Sequence, residues 1–199
     1  MNKLINQAIF ILAIILIFGN LIFKSRETTT DKKLEINHID ISNNNPSQAN
    51  KKNLNNLLIV KEEYTLSYNC SKGIANWVGW QTNQEDLGDL PRSDDFREDE
   101  SLPKNCYQVD ENDYRGSGYD RGHLMPSGDR TKSKSANSSS FLMVNMLPQN
   151  PSNNRQVWRE LEQYSRKLVN RGFQLYTFAG GNGQIKTINK GKISVPKYV

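Results

Sequence analysis

The sequence predicts an α+β fold, and three observations carry the expectation. Strand-like segments at residues 57–60, 64–67 and 75–80 come in quick succession, each closed by glycine, asparagine or serine. One helix follows much later: Val157, Leu161, Tyr164 and Leu168 recur at i, i+4, i+7 and i+11, and Gly172 is placed to end it. Strands then return at residues 173–178 and 192–195, on either side of a glycine-rich turn at 180–183. At 199 residues the chain is long enough for one domain with a sizeable core and short for two.

In chain order, the N-terminus starts with Lys3, runs through apolar blocks at residues 8–18 and 21–23, and closes on Lys24 and Arg26. That length lies between the roughly 7–15 apolar residues of a signal peptide and the about 20 of a membrane span. Residues 1–26 are therefore expected to be a signal peptide or an N-terminal membrane anchor, and the body to be exported: secreted, periplasmic, or held at a membrane by that segment alone. Residues 27–56, rich in Asn, Lys, Thr and Ser without an apolar period, have the composition of a disordered polar tether. The folded domain is expected over 57–199. Within it, residues 85–100 are acidic and irregular, as a solvated loop would be. Residues 141–146 form an apolar run suited to a buried strand, and Pro148 and Pro151 turn the chain into the helix.

Composition narrows the functions. With 36% hydrophobic and 24% charged residues, neither a polytopic membrane protein nor a disulfide-dense mini-protein fits. The net charge of +5 is unevenly spread: residues 27–120 carry 10 bases and 18 acids, residues 121–199 carry 13 bases and 3 acids. A polyanion is attracted to the second half only. Cys70 and Cys106 are the only cysteines; in an oxidising compartment they are able to bridge, and the spacing leaves bridged and free forms both open. With His38 in the tether, that inventory excludes a Cys/His zinc cluster.

Outside the tether the only histidine is His123, so any step that needs an imidazole base at neutral pH falls to it. Arg121, two residues earlier, shares its face of an extended segment and is able to hold an anionic oxygen beside the ring. Gly122 lets a neighbouring group approach closely. On the helix, Asn154, Trp158 and Glu162 are spaced by four and form a ladder on one face. The ends of that ladder lie about 12 Å apart, too far for both to ligate one ion directly, so one of them would act through water. Amide oxygen, carboxylate and water suit Mg²⁺ better than zinc or copper. Each residue also has an ordinary structural use: Asn154 as an N-cap, Trp158 in a core, Glu162 as a solvated charge. Taken together, a neutral base, arginines, an oxygen-donor metal site and a basic half-surface describe phosphodiester hydrolysis.

Asp120-Arg121-Gly122-His123 with Pro126-Ser127, then Asn145-Met146-Leu147-Pro148-Gln149, then Asn154, Trp158 and Leu161-Glu162 carry a likeness in order and spacing. The pattern resembles the DNA/RNA non-specific endonuclease family of the ββα-metal (His-Me finger) superfamily, over about residues 58–199. Asn76-Trp77-Val78 and the stretch from Arg92 to Arg97 look like the family too. The resemblance implies an antiparallel sheet with a ββα-metal site, in which the strand ending at His123, the strand ending near Asn145 and the helix carrying Asn154 come together. It implies His123 as general base, Asn154 as the direct protein ligand of Mg²⁺ or Mn²⁺, and Glu162 as the carboxylate that orients the ion's waters. Arg92 and Arg121 match phosphate-contacting arginines, and Asn145 a supporting active-site amide. Single- and double-stranded DNA and RNA are the implied partners and 5′-phosphate ends the implied products; nothing in the sequence indicates an inhibitor protein. Relatives run on beyond the match to Val195-Pro196-Lys197, so the resemblance also implies that the C-terminal part of the family fold is missing. The alternative expectation is a remnant that binds nucleic acid without turnover.

Overall fold

Leu66, Tyr68, Val78 and Trp80 are the side chains around which the first sheet closes, all of them buried. They alternate along two neighbouring strands and so share one face. The computed structural model describes residues 41–42 and 45–199. β1 (Leu57–Val60), β2 (Thr65–Asn69) and β3 (Ile74–Thr82) form an antiparallel meander that β6 (Leu175–Ala179) joins beside β3, giving the order β1-β2-β3-β6. β4 (Asp120–His123) and β5 (Met146–Gln149) make a second antiparallel pair, with His123 opposite Met146 and Asp120 opposite Gln149. β7 (Lys186–Ile188) and β8 (Ile193–Val195) make a third. Leu124, Met125, Met143, Val144 and Leu147 join Ile193 and Val195 in one apolar cluster with the first sheet.

Every residue of β2 is buried, because its outer face is covered as well. The cover is residues 45–56. Ser67 Oγ donates to Asn56 Oδ1, Trp77 Nε1 donates to Ser47 Oγ, and Ala49 is buried. The stretch that composition reads as tether is thus folded onto the sheet from residue 45. Its asparagines do not solvate the chain; they turn it. Asn45 Oδ1 accepts from Ala49 N, and Asn50 Oδ1 accepts from Lys52 N and Asn53 N, local bonds that an asparagine makes readily. The rest of the expected tether, residues 27–40, and the expected leader, residues 1–26, lie outside the described residues. Among the described residues no helix is long and apolar enough to cross a membrane.

Two further expectations change. Residues 141 and 143–146 are buried and Leu142 half-buried, but only Met146 begins a strand; Met143–Asn145 is a single 3₁₀ turn. At the end of the turn the Asn145 side chain is tied to the main chain of Met125 and Ser140. The helix also differs. It begins with a wide π-helical stretch, Asn153–Trp158, runs on as α2 (Arg159–Val169) after the short α1 (Lys134–Ser139), and ends before Gly172 at φ 92°. The apolar stripe that predicts it faces outward: Val157, Leu161 and Tyr164 are 64%, 41% and 51% exposed.

The face turned to the body is the polar one, about 100° around the helix. Arg166 Nη1 donates to Asp129 Oδ1 at 2.9 Å, and Asp129 Oδ2 accepts from Trp80 Nε1 and Thr82 Oγ1 of β3. An ion pair, with the buried Val169 at the helix end, therefore docks α2 where an apolar contact was expected.

Candidate active site

The β4–β5 pair and the helix that follows supply most of the chemistry-bearing residues. Arg121 and His123 project from one face of β4, as their spacing predicts, and both lie on the ring of Phe96: the Arg121 guanidinium is 4.1 Å from its centroid and the imidazole centroid 5.7 Å away. Phe141 packs edge-on against the imidazole at 4.8 Å and against Phe96 at 5.0 Å. Arg92 completes the cluster, with its guanidinium 4.6 Å from the centre of the Phe141 ring. Two phenyl rings thus gather one imidazole and two guanidinium groups into a single cluster.

His123 is buried, and its Nε2 has no hydrogen-bond partner among the described residues. Burial disfavours the imidazolium, and the charges of Arg92 and Arg121 disfavour it further, so the pKa falls to about 3. The ring is therefore neutral at physiological pH, with a lone pair free at a nitrogen. Arg92 is held by Asp94, which accepts from its Nε, and by Ser127 Oγ, which accepts from Nη1 at 3.0 Å. The backbone beside it is pinned from α1: Asn137 Oδ1 accepts from Ser93 N, while Asn137 Nδ2 donates to Ser127 O and Arg130 O. Arg121 Nη1 donates to Glu111 Oε2 at 2.8 Å.

Asn145 is fully buried and all its bonds run to main chain. Nδ2 donates to Met125 O and Ser140 O, and Oδ1 accepts from Met125 N, each at 2.9 Å. It braces the loop after His123 against the start of β5. Gly122 is needed for packing within the protein, because a Cβ there would collide with the Gln149 side chain across the ladder.

The helix ladder comes in on the other side. Asn154 lies inside the π-helical stretch and is not an N-cap; its Nδ2 donates to Asp120 Oδ2 at 2.9 Å. Arg155 grips the same carboxylate with two bonds, 2.8 and 2.7 Å, and this charge-assisted pair, with Asn154, holds the Asp120 carboxyl below its usual range. Trp158 and Glu162 continue along the helix, both partly buried. Burial raises the Glu162 pKa to about 7, against the lowering influence of Arg166; Asp129 raises it further and Arg92 lowers it. Arg92 thus acts electrostatically on both His123 and Glu162, and links the aromatic cluster to the ladder.

Sequence reasoning names the polar groups and misses the aromatic platform. Phe96 and Phe141 are 45 positions apart, and no periodicity marks two rings that meet only in the fold. Asp120, Ser127 and Asn137 are missed as well in the roles they play here. The first two stand inside the quoted motif, yet spacing alone does not show what each side chain touches.

The bridge Cys70–Cys106, with Cα atoms 5.0 Å apart, ties the end of β2 to the long segment before the site.

A strand pair that ends in an imidazole and feeds a helix bearing an amide and a carboxylate belongs to the ββα class. Within that class, residues 41–199 match the model of the DNA/RNA non-specific endonucleases, and the chain belongs to that family. It is 52% identical over 155 residues to a nuclease of Nostoc sp. (strain PCC 7120), covering 77% of this chain and 57% of the relative. Human mitochondrial endonuclease G is 36% identical over 152 residues, covering 69% of this chain and 51% of that protein. Among solved structures, a chain of the EndoG/EndoGI complex superposes with a TM-score of 0.63 at 28% identity, over 70% of this chain and 63% of the other. This chain spans about half the length of the curated relatives it matches.

Proposed function

We propose that this protein is a metal-dependent endonuclease that hydrolyses phosphodiester bonds of DNA and RNA, with little sequence preference, to leave 5′-phosphate ends. The observation that carries the reading is the buried His123 imidazole, gathered on the Phe96 and Phe141 rings with the Arg92 and Arg121 guanidinium groups. An imidazole held neutral beside a concentration of positive charge is a base placed where a phosphate binds. Arg92 and Arg121 receive the phosphate oxygens, with no contact that would read a base. A bound phosphate offsets the same charges that depress the imidazole, so its basicity rises as substrate arrives. The His123 imidazole then takes a proton from the attacking water, the water oxygen bonds to phosphorus, and the bond from phosphorus to the 3′ oxygen breaks, the 3′ oxygen leaving with a proton from solvent. The guanidinium groups carry the charge that builds on the phosphate oxygens.

Asn154 and Glu162 fit a hard divalent cation. Among the described residues none donates to Asn154 Oδ1 while its Nδ2 is tied down, and Glu162 is a carboxylate that burial makes reluctant to ionise alone. Among the described residues no three His, Cys, Asp or Glu side chains cluster as metal donors, so the set suits an ion that keeps most of its waters, Mg²⁺ or Mn²⁺. Asn154 would hold the ion and Glu162 orient its waters; when bound, the ion supplies positive charge to the reacting phosphate. The Cys70–Cys106 bridge supports an exported, oxidising location.

The test is cleavage of supercoiled plasmid and of RNA by the full chain, with Mg²⁺ or Mn²⁺ and then with EDTA. Nicking of both substrates that EDTA abolishes, with 5′-phosphate products, is the expected result. Binding without any nicking at saturating metal would contradict it.

A further inference from the structure

We propose that Asp120 is a positioning residue that turns the carboxamide of Asn154 so that Oδ1, and not Nδ2, is presented for ligation. The proposal rests on the reading of Asn154 as the protein's direct metal ligand. A carboxamide has an acceptor at one end and a donor at the other, and a half-turn of its last torsion exchanges them. In the observed orientation Nδ2 donates to Asp120 Oδ2 at 2.9 Å. The reverse orientation would set Oδ1 against a carboxylate oxygen at that distance, two acceptors facing each other. The anion therefore selects one of two nearly isosteric states.

Three further features support the selection. Arg155 fixes both oxygens of the Asp120 carboxylate with two short bonds, so the group that orients Asn154 is itself immobilised. Consecutive residues reach one carboxylate from within the widened π-helical stretch, Asn153–Trp158, a local geometry that often marks functional positions in helices. Asp120 also stands on the strand that ends in His123, so four residues of β4 hold the base at one end and aim the metal ligand at the other, about 10 Å apart along the strand.

The experiment measures Mn²⁺ affinity of the full chain by electron paramagnetic resonance of the free ion. Alongside it, NMR follows the Asn154 side-chain amide, assigned by its loss in Asn154→Ala. Asp120→Ala is expected to weaken Mn²⁺ binding about tenfold or more and to shift the Asn154 amide signal. Arg155→Ala, which keeps the bond from Asn154 to Asp120, should weaken binding less than about threefold and leave that signal near its place. Asp120→Asn should lie between, because the amide keeps one acceptor, as Oδ2 serves Asn154 and Arg155 Nε now, but loses the charge and the acceptor for Arg155 Nη2. Wild-type Mn²⁺ affinity in Asp120→Ala, while Asn154→Ala loses it, overturns the proposal and spares the ligand reading. Unchanged affinity in Asn154→Ala overturns that reading and the proposal with it. Should Asp120→Ala not fold, Asp120→Asn decides alone, and wild-type affinity there overturns the proposal.

Discussion

At the scale of single residues, the governing fact is that His123 is kept uncharged by its surroundings, with burial first and Arg92 and Arg121 after it. The consequence for stability has a definite sign. The folded pKa, about 3, lies below the unfolded value near 6.5, so the unfolded chain binds the proton first as the solution is acidified. Stability linked to His123 is present above about pH 6.5 and is lost as pH falls toward 3; at pH 5 the loss is about 2 kcal/mol. Urea unfolding at pH 7 and pH 5 checks this, since wild type should lose about that much more than His123→Asn over the interval. Glu162, whose pKa is raised, contributes in the opposite direction, but it does so in both proteins and cancels in the comparison. Asn145 gives a second prediction at this scale. Its side chain alone satisfies Met125 N, Met125 O and Ser140 O, so Asn145→Ala leaves buried polar groups unpaired and should cost about 3 kcal/mol in thermal or urea unfolding. His123 stands out in the sequence because the one other histidine, His38, falls in the stretch whose composition reads as tether. The roles of Phe96 and Phe141 are not legible there, since burial of a ring against an imidazole is a property of loops that meet only after folding.

At the scale of elements, the helix is the most instructive piece. Its existence and its glycine stop are legible from the apolar spacing and from Gly172. The direction it faces is not. A stripe of Val157, Leu161 and Tyr164 ordinarily marks the side that packs inward, and here Arg166 on Asp129, with Asn154 and Arg155 on Asp120, docks the helix by charge and hydrogen bonds. Charged pairs at this depth depend on exact partners many residues away, and a local period carries no record of them. The folding of residues 45–56 is hidden for a related reason, because asparagines that cap turns have the same composition as asparagines that solvate a tether. The ladder gives its own prediction: Asn154→Ala should reduce the cleavage rate more than Glu162→Ala, because the proposed function loses a direct ligand in one and a water-orienting group in the other. Rates at saturating Mg²⁺ check it, and the reverse order would overturn the proposed roles of the two residues.

At the scale of the whole molecule, the disulfide and the exposed apolar stripe set the behaviour in solution. The Cys70–Cys106 bridge closes a loop of 36 residues in sequence separation, for which chain entropy gives about 3–4 kcal/mol. Reduction should lower the unfolding midpoint by a corresponding amount. Val157, Leu161 and Tyr164 leave an apolar surface on one side of the helix, and Leu161→Lys with Tyr164→Lys should reduce dye binding and self-association while changing stability by under about 0.5 kcal/mol.

What unites these parts is the assignment of proton transfer to a single imidazole. The most direct measurement is single-turnover cleavage of an end-labelled oligonucleotide by His123→Gly, with and without added imidazole. The base assignment predicts a rate at least about a hundredfold below wild type. It also predicts that free imidazole restores cleavage in that variant and not in Asn154→Ala. Cutting by His123→Gly at the wild-type rate, without imidazole, would contradict it.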